Sequence, residues 1–552
     1  MTGGNITNSV FGLVTEVMPA AFGDFNSDEL TDLFVVHGEP NTVEVMLARE
    51  QEPLLQVDQG LSCMFSSRHI TSIVPGNFDG DAHLDILVTT LDLEDKLTYI
   101  FILWGGLNYL NCSNTTEVAV MKNQPVVLDY NDDMIVDLFG EDRNGRRIFL
   151  LFSENRAVKP QVINITQSEH PLRAPHSHAF LDLDGDDATD LFISTEDGFE
   201  LWTRNETGVL GLDKKIEPPA GLKTKQMGQS LFLDLELTGK MYHLLPVCFD
   251  DFADCVPCKN STLFAYVNEK WHNLNPVLKD STGQVWGFYR CSRLPYTDTV
   301  TLRGGDFNMD GYPDILATLS VKNSPSKVFL LENVESSSGS LSRTYAIHGD
   351  ALAPMNNETT MGAFYDLYQD GILDVILYGS SRVQAFRNTL DYDANFVKVM
   401  VLTGTDRGGN LPGPSISYKT ITQEGEPRAA VAAQLPQSAH FSLGLPYTIF
   451  GLGRTPNFVD ILMVGLAGKS KAWTQIIPNS QMVVIPSPLD QPSKWRAQLF
   501  ITPSKMILLS VAALTGTCAL IVGIIGALYW KERQEDRIEK LQEAHRFHFD
   551  AM

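Results

Sequence analysis

Positive charge is scarce in this chain: 42 Lys and Arg stand against 67 Asp and Glu over 552 residues, a formal net charge of −25. No basic patch interleaved with aromatics is present, which removes nucleic acid from the partner classes. The short patterns of catalysis are missing too. There is no G-x-S-x-G elbow, no H-E-x-x-H and no Gly-rich phosphate loop, so the chain reads as a non-enzyme. Residues 1–18, MTGGNITNSVFGLVTEVM, have neither a basic start nor an apolar core, so no signal peptide is visible and a truncated or processed start is expected. Cysteine is sparse, seven in all. Six precede residue 506 (Cys63, Cys112, Cys248, Cys255, Cys258, Cys291), an even number that suits three disulfides of unassigned pairing, and Cys518 lies in the one long apolar run. The Cys255-x-x-Cys258 pair could be a zinc or redox site, but in an oxidising compartment a staple on an insertion is expected.

What the chain has in quantity is acid at fixed spacing. Residues 306–314, DFNMDGYPD, place Asp306, Asn308, Asp310 and Asp314 at positions 1, 3, 5 and 9 of a loop, with the Tyr312 carbonyl at position 7. That is an oxygen cage for a hard cation; zinc would want His or Cys, and calcium accepts six to eight oxygens in forgiving geometry. Gly311 permits the sharp bend, whereas Ala317 at position 12 and a strand-like flank exclude an EF-hand.

The same grammar recurs. The other loops begin at Asp24, Asn77, Asp129, Asp182, Asp234 and Asp366, so successive starts are 53, 52, 53, 52, 72 and 60 residues apart by subtraction. Candidate ligands are Asp24, Asn26, Asp28, Asp32 and the Leu30 carbonyl; Asn77, Asp79, Asp81, Asp85 and His83; Asp129, Asn131, Asp133, Asp137 and Ile135; and Asp182, Asp184, Asp186, Asp190 and Ala188. The seventh loop has Tyr368 at position 3 and keeps Asp366, Asp370 and Asp374 for weak binding, whereas the fifth, with Thr238, Lys240 and Tyr242 after Asp234 and Glu236, is read as metal-free. Any one loop alone would be an ordinary acidic turn. Five well-formed copies in register favour structural calcium in five to six sites. A unit of about 50 residues built from short apolar strands suits one four-stranded blade, so an all-β, seven-bladed propeller is expected over 1–394.

The phrases FGDFNSDELTDLFVV and GGDFNMDGYPDILA resemble FG-GAP repeats, the units of integrin alpha-subunit propellers. The resemblance implies calcium between the first two strands of a blade, in a structural role. It implies no ligand, since nothing here is similar to the partner subunit's metal domain.

Beyond Phe396 the cation loops stop. Short strands separated by Gly and Pro predict a small β-sandwich-like domain over 395–486, and FGLGRTPNFVDILMV resembles the UnbV/ASPIC-type module. Residues 487–505, with Pro488, Pro492 and Pro503, read as a stalk. Residues 506–530 are uncharged over 25 positions, long enough to span a bilayer as a helix. Lys531, Arg533, Arg537, Lys540 and Arg546 follow it against Lys494, Arg496 and Lys505 before, placing the tail 531–552 in the cytosol. All seven sequons (Asn5, Asn111, Asn114, Asn164, Asn205, Asn260 and Asn357) precede the span, consistent with a glycosylated exterior. They oppose the alternative of a tail-anchored cytosolic protein.

Over nearly its whole length, most specifically in SAHFSLGLPYTIFGLGR and EAHRFHFDAM, the chain is similar to the integrin-alpha FG-GAP repeat-containing family of single-span surface proteins. That resemblance implies a type I plasma-membrane protein, with a shed ectodomain as a second form, that meets an extracellular protein or cell-surface receptor in cell adhesion or T-cell modulation. It further implies cytosolic association with RuvB-like ATPases and tubulin. The competing expectation is a glycan-acting hydrolase or lyase using the propeller channel. His170, His176 and His178 could suggest a metal cluster, but a place at the entry to the fourth blade is expected instead.

Overall fold

The structure, a computed structural model, describes residues 2–549 apart from 38–40, 66–68, 82, 107, 114–115, 157–158, 166–167, 169, 206–207, 294–296, 338, 350–351, 353–357, 391–393, 404–408, 423–424, 439–441, 455–457 and 502–504, and apart from the side chains of 2–3, 505–508 and 545–549. Sequons Asn114 and Asn357 lie outside the described residues. Asn5, Asn111, Asn164, Asn205 and Asn260 are all exposed.

Seven antiparallel sheets follow one another along the chain. Blade 1 comprises Val17–Gly23, Asp32–His37, Thr42–Ala48 and Leu55–Met64. Blade 2 runs from His69–Gly76 to Ala119–Met121, blade 3 from Val126–Leu128 to Gln161–Asn164, and blade 4 from Ala179–Leu181 to Leu210–Ile216. Blade 5 spans Leu231–Leu233 to Lys270–Asn273; blade 6 is centred on Asp314–Ser320 and ends at Arg343–Ile347. Blade 7 has Met361–Tyr365, Asp374–Gly379 and Arg382–Thr389, and takes its fourth strand from the other end of the chain: Thr2–Asn5 pairs antiparallel with Phe386–Thr389. The sequence reading did not anticipate this closure.

The second strand of a blade is buried on both faces, as in Asp190–Ser194 (DLFIS), because each sheet packs against two neighbours. Phe34 and Val45 of blade 1 pack with Ile86 and Phe101 of blade 2, while Phe22 and Leu33 pack with Ala363 and Ile376 of blade 7. The core therefore lies between blades, and burying a Leu or Phe there contributes roughly 1.5–3 kcal/mol.

Three disulfides form: Cys63–Cys112 joins blade 1 to an excursion of blade 2, Cys248–Cys258 closes a hairpin loop of blade 5, and Cys255–Cys291 ties that loop to the approach to blade 6. Cys255 and Cys258 thus have different partners and hold no metal.

A two-sheet domain follows. One sheet orders Thr448–Gly453, Asn395–Val401, Ser480–Ile485 and Arg496–Ile501; the other orders Pro427–Ala433, Ser415–Ile421, Val459–Leu466 and Lys469–Ile476. Val399, Ile416, Tyr418, Leu462, Val484 and Trp495 fill its core. Here the stalk expected over 487–505 gives way. Trp495 is buried, its indole N–H donates to the Pro488 carbonyl, and Arg496–Ile501 pairs with Ser480–Ile485. Pro488 and Pro492 shape a turn inside the sandwich, and Pro503 lies outside the described residues. Residues 502–552 form a separate unit containing one continuous helix, Lys505–Phe549, so the helix runs on through most of the expected tail. It is the one helix, among the described residues, long and apolar enough to cross a membrane.

Candidate functional site: the cation loops and what rests on them

Over their described residues the seven loops share one backbone pattern. Positions 4 and 6 take the left-handed conformation at Ser27 and Glu29, Asp132 and Met134, Gly185 and Asp187, Leu237 and Gly239, Met309 and Gly311, and Gln369 and Gly371; in the second loop Gly80 does so at position 4. Bulky side chains pay for that geometry, yet Glu29, Met134 and Leu237 adopt it.

The first-position carboxylate holds the turn by accepting backbone N–H groups. Asp24 accepts from Asp28 and Glu29 at 3.1 and 2.9 Å, Asp306 from Asp310 and Gly311 at 3.1 and 2.8 Å, and Asp234 of the fifth loop from Thr238 and Gly239 at 3.1 and 2.7 Å. Position 5 accepts from position 7: the N–H groups of Leu30, His83, Ile135, Ala188 and Tyr312 donate to Asp28, Asp81, Asp133, Asp186 and Asp310 at 2.8–2.9 Å.

Position 9 has a role the sequence did not disclose. One oxygen accepts from position 2 and the other from the third strand of the same blade or, in blade 3, from the residue just after it, so the residue pins loop to sheet. Asp32 accepts from Phe25 and Ala48, Asp85 from Phe78 and Gly105, Asp137 from Tyr130 and Phe152, Asp314 from Phe307 and Asn333, and Asp374 from Leu367 and Asn388. Asp190 differs. Its Oδ2 accepts from Leu183 at 3.0 Å, but its buried Oδ1 has no hydrogen-bond partner. Oxygens of Asp182, Asp184 and Asp190 lie within 4.8 Å of one another, the one loop among the described residues where three acids converge this tightly. An orphaned buried oxygen beside two further carboxylates fits a divalent cation, which would replace the missing partner. In the first loop the Asn26 Oδ1 is likewise buried without a partner.

Electrostatics agree. Burial chiefly, with neighbouring acids, pushes Asp24 up to about 7 (Asp28 beside it), Asp129 to about 8 (Asp132), Asp306 to about 8 (Asp310), and Asp182 and Asp190 to about 6 and 8. Ionised carboxylates so placed repel until a cation intervenes.

Other candidates disperse. In the second loop Arg156 of the third blade ion-pairs with Asp79 and Asp81. In the fifth, Glu236 turns away to Tyr242 and Ser342, and Lys240 reaches Asn268. His176 and His178 stack at 4.0 Å, buried, while His170 pairs with Asp197 at 2.9 Å; the three do not converge. Asp254 approaches Cys255 and Cys291, whose sulfurs are consumed in a disulfide.

The second domain rests on these loops. Gly468 N–H donates to the Asp187 carbonyl at 3.0 Å, and Thr238 bridges to Ala429. Gly451 N–H donates to Asp306 Oδ2 at 3.1 Å, and Arg428 donates to the Asp310 carbonyl at 3.0 Å. Farther along, Phe22 and Val127 N–H donate to Gln437 and Ser438, both at 3.1 Å, so this segment reaches first strands of blades 1 and 3.

A seven-bladed ring whose acid loops carry a β-sandwich, with one candidate span after it, defines a propeller protein of the single-pass membrane class. Residues 406–500 match the family model described as "ITFG1, C2 domain"; the match takes in much of the supposed stalk, and the UnbV/ASPIC likeness gives way to that description. The chain is 37% identical to the T-cell immunomodulatory protein of Homo sapiens, covering 99% of this chain and 94% of that one, and 28% identical to Protein linkin of Caenorhabditis elegans, covering 96% and 95%. It belongs to the T-cell immunomodulatory protein family. Among solved structures, a complex of BBS1N with ARL6DN covers 70% of this chain and 95% of its own, at 13% identity and a TM-score of 0.32.

Proposed function

We propose that the chain is a type I plasma-membrane glycoprotein whose N-terminal propeller stands outside the cell, stiffened by calcium in its loops, and acts in cell adhesion or cell-surface signalling. The observation that carries this reading is the seat of the second domain. It occupies the loop side of the ring, so a partner protein meets the other side, formed by the connections between second and third strands. There the disulfide-stapled loop of blade 5 exposes Phe249 and Val256. The names of the relatives, T-cell immunomodulatory protein and linkin, support a surface role. The charged end of the helix Lys505–Phe549 is the part available to cytosolic partners such as RuvB-like ATPases and tubulin.

Adhesion of beads carrying the full-length protein to cells, compared in calcium and in EGTA and with Phe249→Ser, tests the reading. Binding should fall in EGTA and in the variant; undiminished binding in both would sink it. A glycan hydrolase or lyase is the weaker reading. The cavity where residues 430–435 and 442–450 meet blades 5 to 7, about 170 Å³, is lined mainly by Leu231, Leu302, Phe364, Ala432, Leu445 and Phe450, unlike a polar saccharide cleft. Release of reducing ends by the purified protein would revive it.

A further inference from the structure

The seventh loop has the same turn as the others, and its position-1 acid is the most deeply enclosed of the set. Asp366 accepts from Asp370 and Gly371 at 3.1 and 3.2 Å. Onto its Oδ2 comes a side chain from the other domain: Lys398, in the strand Asn395–Val401, places Nζ 3.2 Å from Asp366 Oδ2 and 2.9 Å from Gln369 Oε1. The lysine and aspartate side chains are 2% and 0% exposed. The Tyr447 ring, also from the second domain, lies 4.1 Å from Nζ, and its hydroxyl accepts the Asp366 N–H at 3.1 Å. Phe396 closes the approach, since a Cβ on Gly371 would lie 2.2 Å from its ring.

An ammonium enclosed by a carboxylate, an amide oxygen and an aromatic face has the same needs as a metal ion: oxygens and negative potential in place of water. We propose that the seventh loop is a socket for the second domain, in which the Lys398 ammonium stands where a divalent ion would. The loop accordingly takes no calcium, which replaces the weak site expected from Asp366, Asp370 and Asp374. Its donor set is matched to the lysine: Tyr368 stands where the sixth loop has Asn308, its ring faces the Arg387 guanidinium at 4.0 Å, and Gln369 supplies the second oxygen. By contrast, no basic side chain ion-pairs with Asp182, Asp184 or Asp190 of the fourth loop among the described residues. One domain thus fastens to the other by a cation the chain carries itself, and at blade 7 docking does not depend on the supply of ions.

The inference rests on calcium occupying the other loops, and the experiment separates the two. Full-length protein in detergent is equilibrated with calcium, its bound ion counted by mass spectrometry, and its unfolding followed in EGTA. Asp366→Asn should leave bound calcium unchanged, whereas Asp182→Asn should lower it by one per chain. Lys398→Met should lower Tm in EGTA by about 4 °C, the scale for an uncompensated buried charge in a unit of this size. In Lys398→Met/Asp366→Asn, where both charges go together, the loss should be clearly smaller than the sum of the single losses. Loss of one calcium in Asp366→Asn, or additive losses in the double variant, would overturn the proposal. If Asp366→Asn does not fold, the double variant supplies the ion count. A parent protein holding no calcium at all would defeat the calcium reading of the loops, while the coupling in EGTA would still decide the role of Lys398.

Discussion

The fourth and fifth loops are neighbours with the same turn and opposite chemistry. Asp182 and Asp234 both accept two backbone N–H groups, and left-handed residues occupy positions 4 and 6 in each. In the fourth, Asp184 and Asp190 close in and one buried oxygen is left without a hydrogen bond; in the fifth, Glu236 serves the sixth blade by accepting from Ser342, and Tyr242 occupies position 9. The turn therefore does not need the ion in order to form. What the ion would add is relief for carboxylates that the turn has already gathered.

Chelation should widen this contrast the most. If several loops each hold calcium at about 100 times its Kd, each contributes about 2.7 kcal/mol, and EGTA should lower Tm by roughly 10 °C. Scanning calorimetry of the full-length protein checks this, and an unchanged Tm would erase the distinction between the loops.

Acidity should then act with opposite signs in the two conditions. In EGTA the folded state holds protons on Asp24, Asp129, Asp190 and Asp306, whose values of about 7 to 8 lie above the ordinary 3.8. That stability is fully present below about 3.8 and lost as pH rises through 7 to 8, so these groups raise Tm as pH falls from 8 to 5. With calcium the same carboxylates must stay ionised, and acid should lower Tm. Buried neutral His176 and His243, held down at about 4 and 3, oppose folding below about 6.5 in both conditions. Subtracting the two Tm curves removes them and leaves the carboxylates.

Asp190→Asn should cost one bound ion and about 3 °C in calcium, with far less effect in EGTA, because the amide oxygen can still accept from Leu183. Asp234→Asn, the matching change in the fifth loop, should leave ion content alone and move Tm by no more than about 1 °C in either condition. Equal responses at Asp190 and Asp234 would show that the two loops do not differ.

The ring was legible because each unit repeats a local pattern: a short apolar strand, a turn of Asp, Asn and Gly, then a strand such as DLFVV or DLFIS. Seven loops, the first five starting 52 or 53 residues apart, gave seven blades. What stayed hidden was contact between distant parts of the chain. Nothing local marks Lys398 as the partner of Asp366 or Thr2–Asn5 as the partner of Phe386–Thr389, and prolines 488 and 492 carry the same local preference in a stalk as in a turn over a buried Trp495. The ligand list was legible as residue types only. Position 9 is acidic in six loops, yet in five of them both oxygens accept backbone N–H groups, one from the loop and one from the sheet, and Asp190 alone keeps one back.

Closure of the ring by Thr2–Asn5 has a consequence during biosynthesis. Those four residues leave the ribosome about 380 residues ahead of the strand they complete, which at ordinary elongation rates is a delay of roughly 20–75 s. Through that interval the nascent chain carries an unmatched strand, open to chaperones and to stray pairing with other edges.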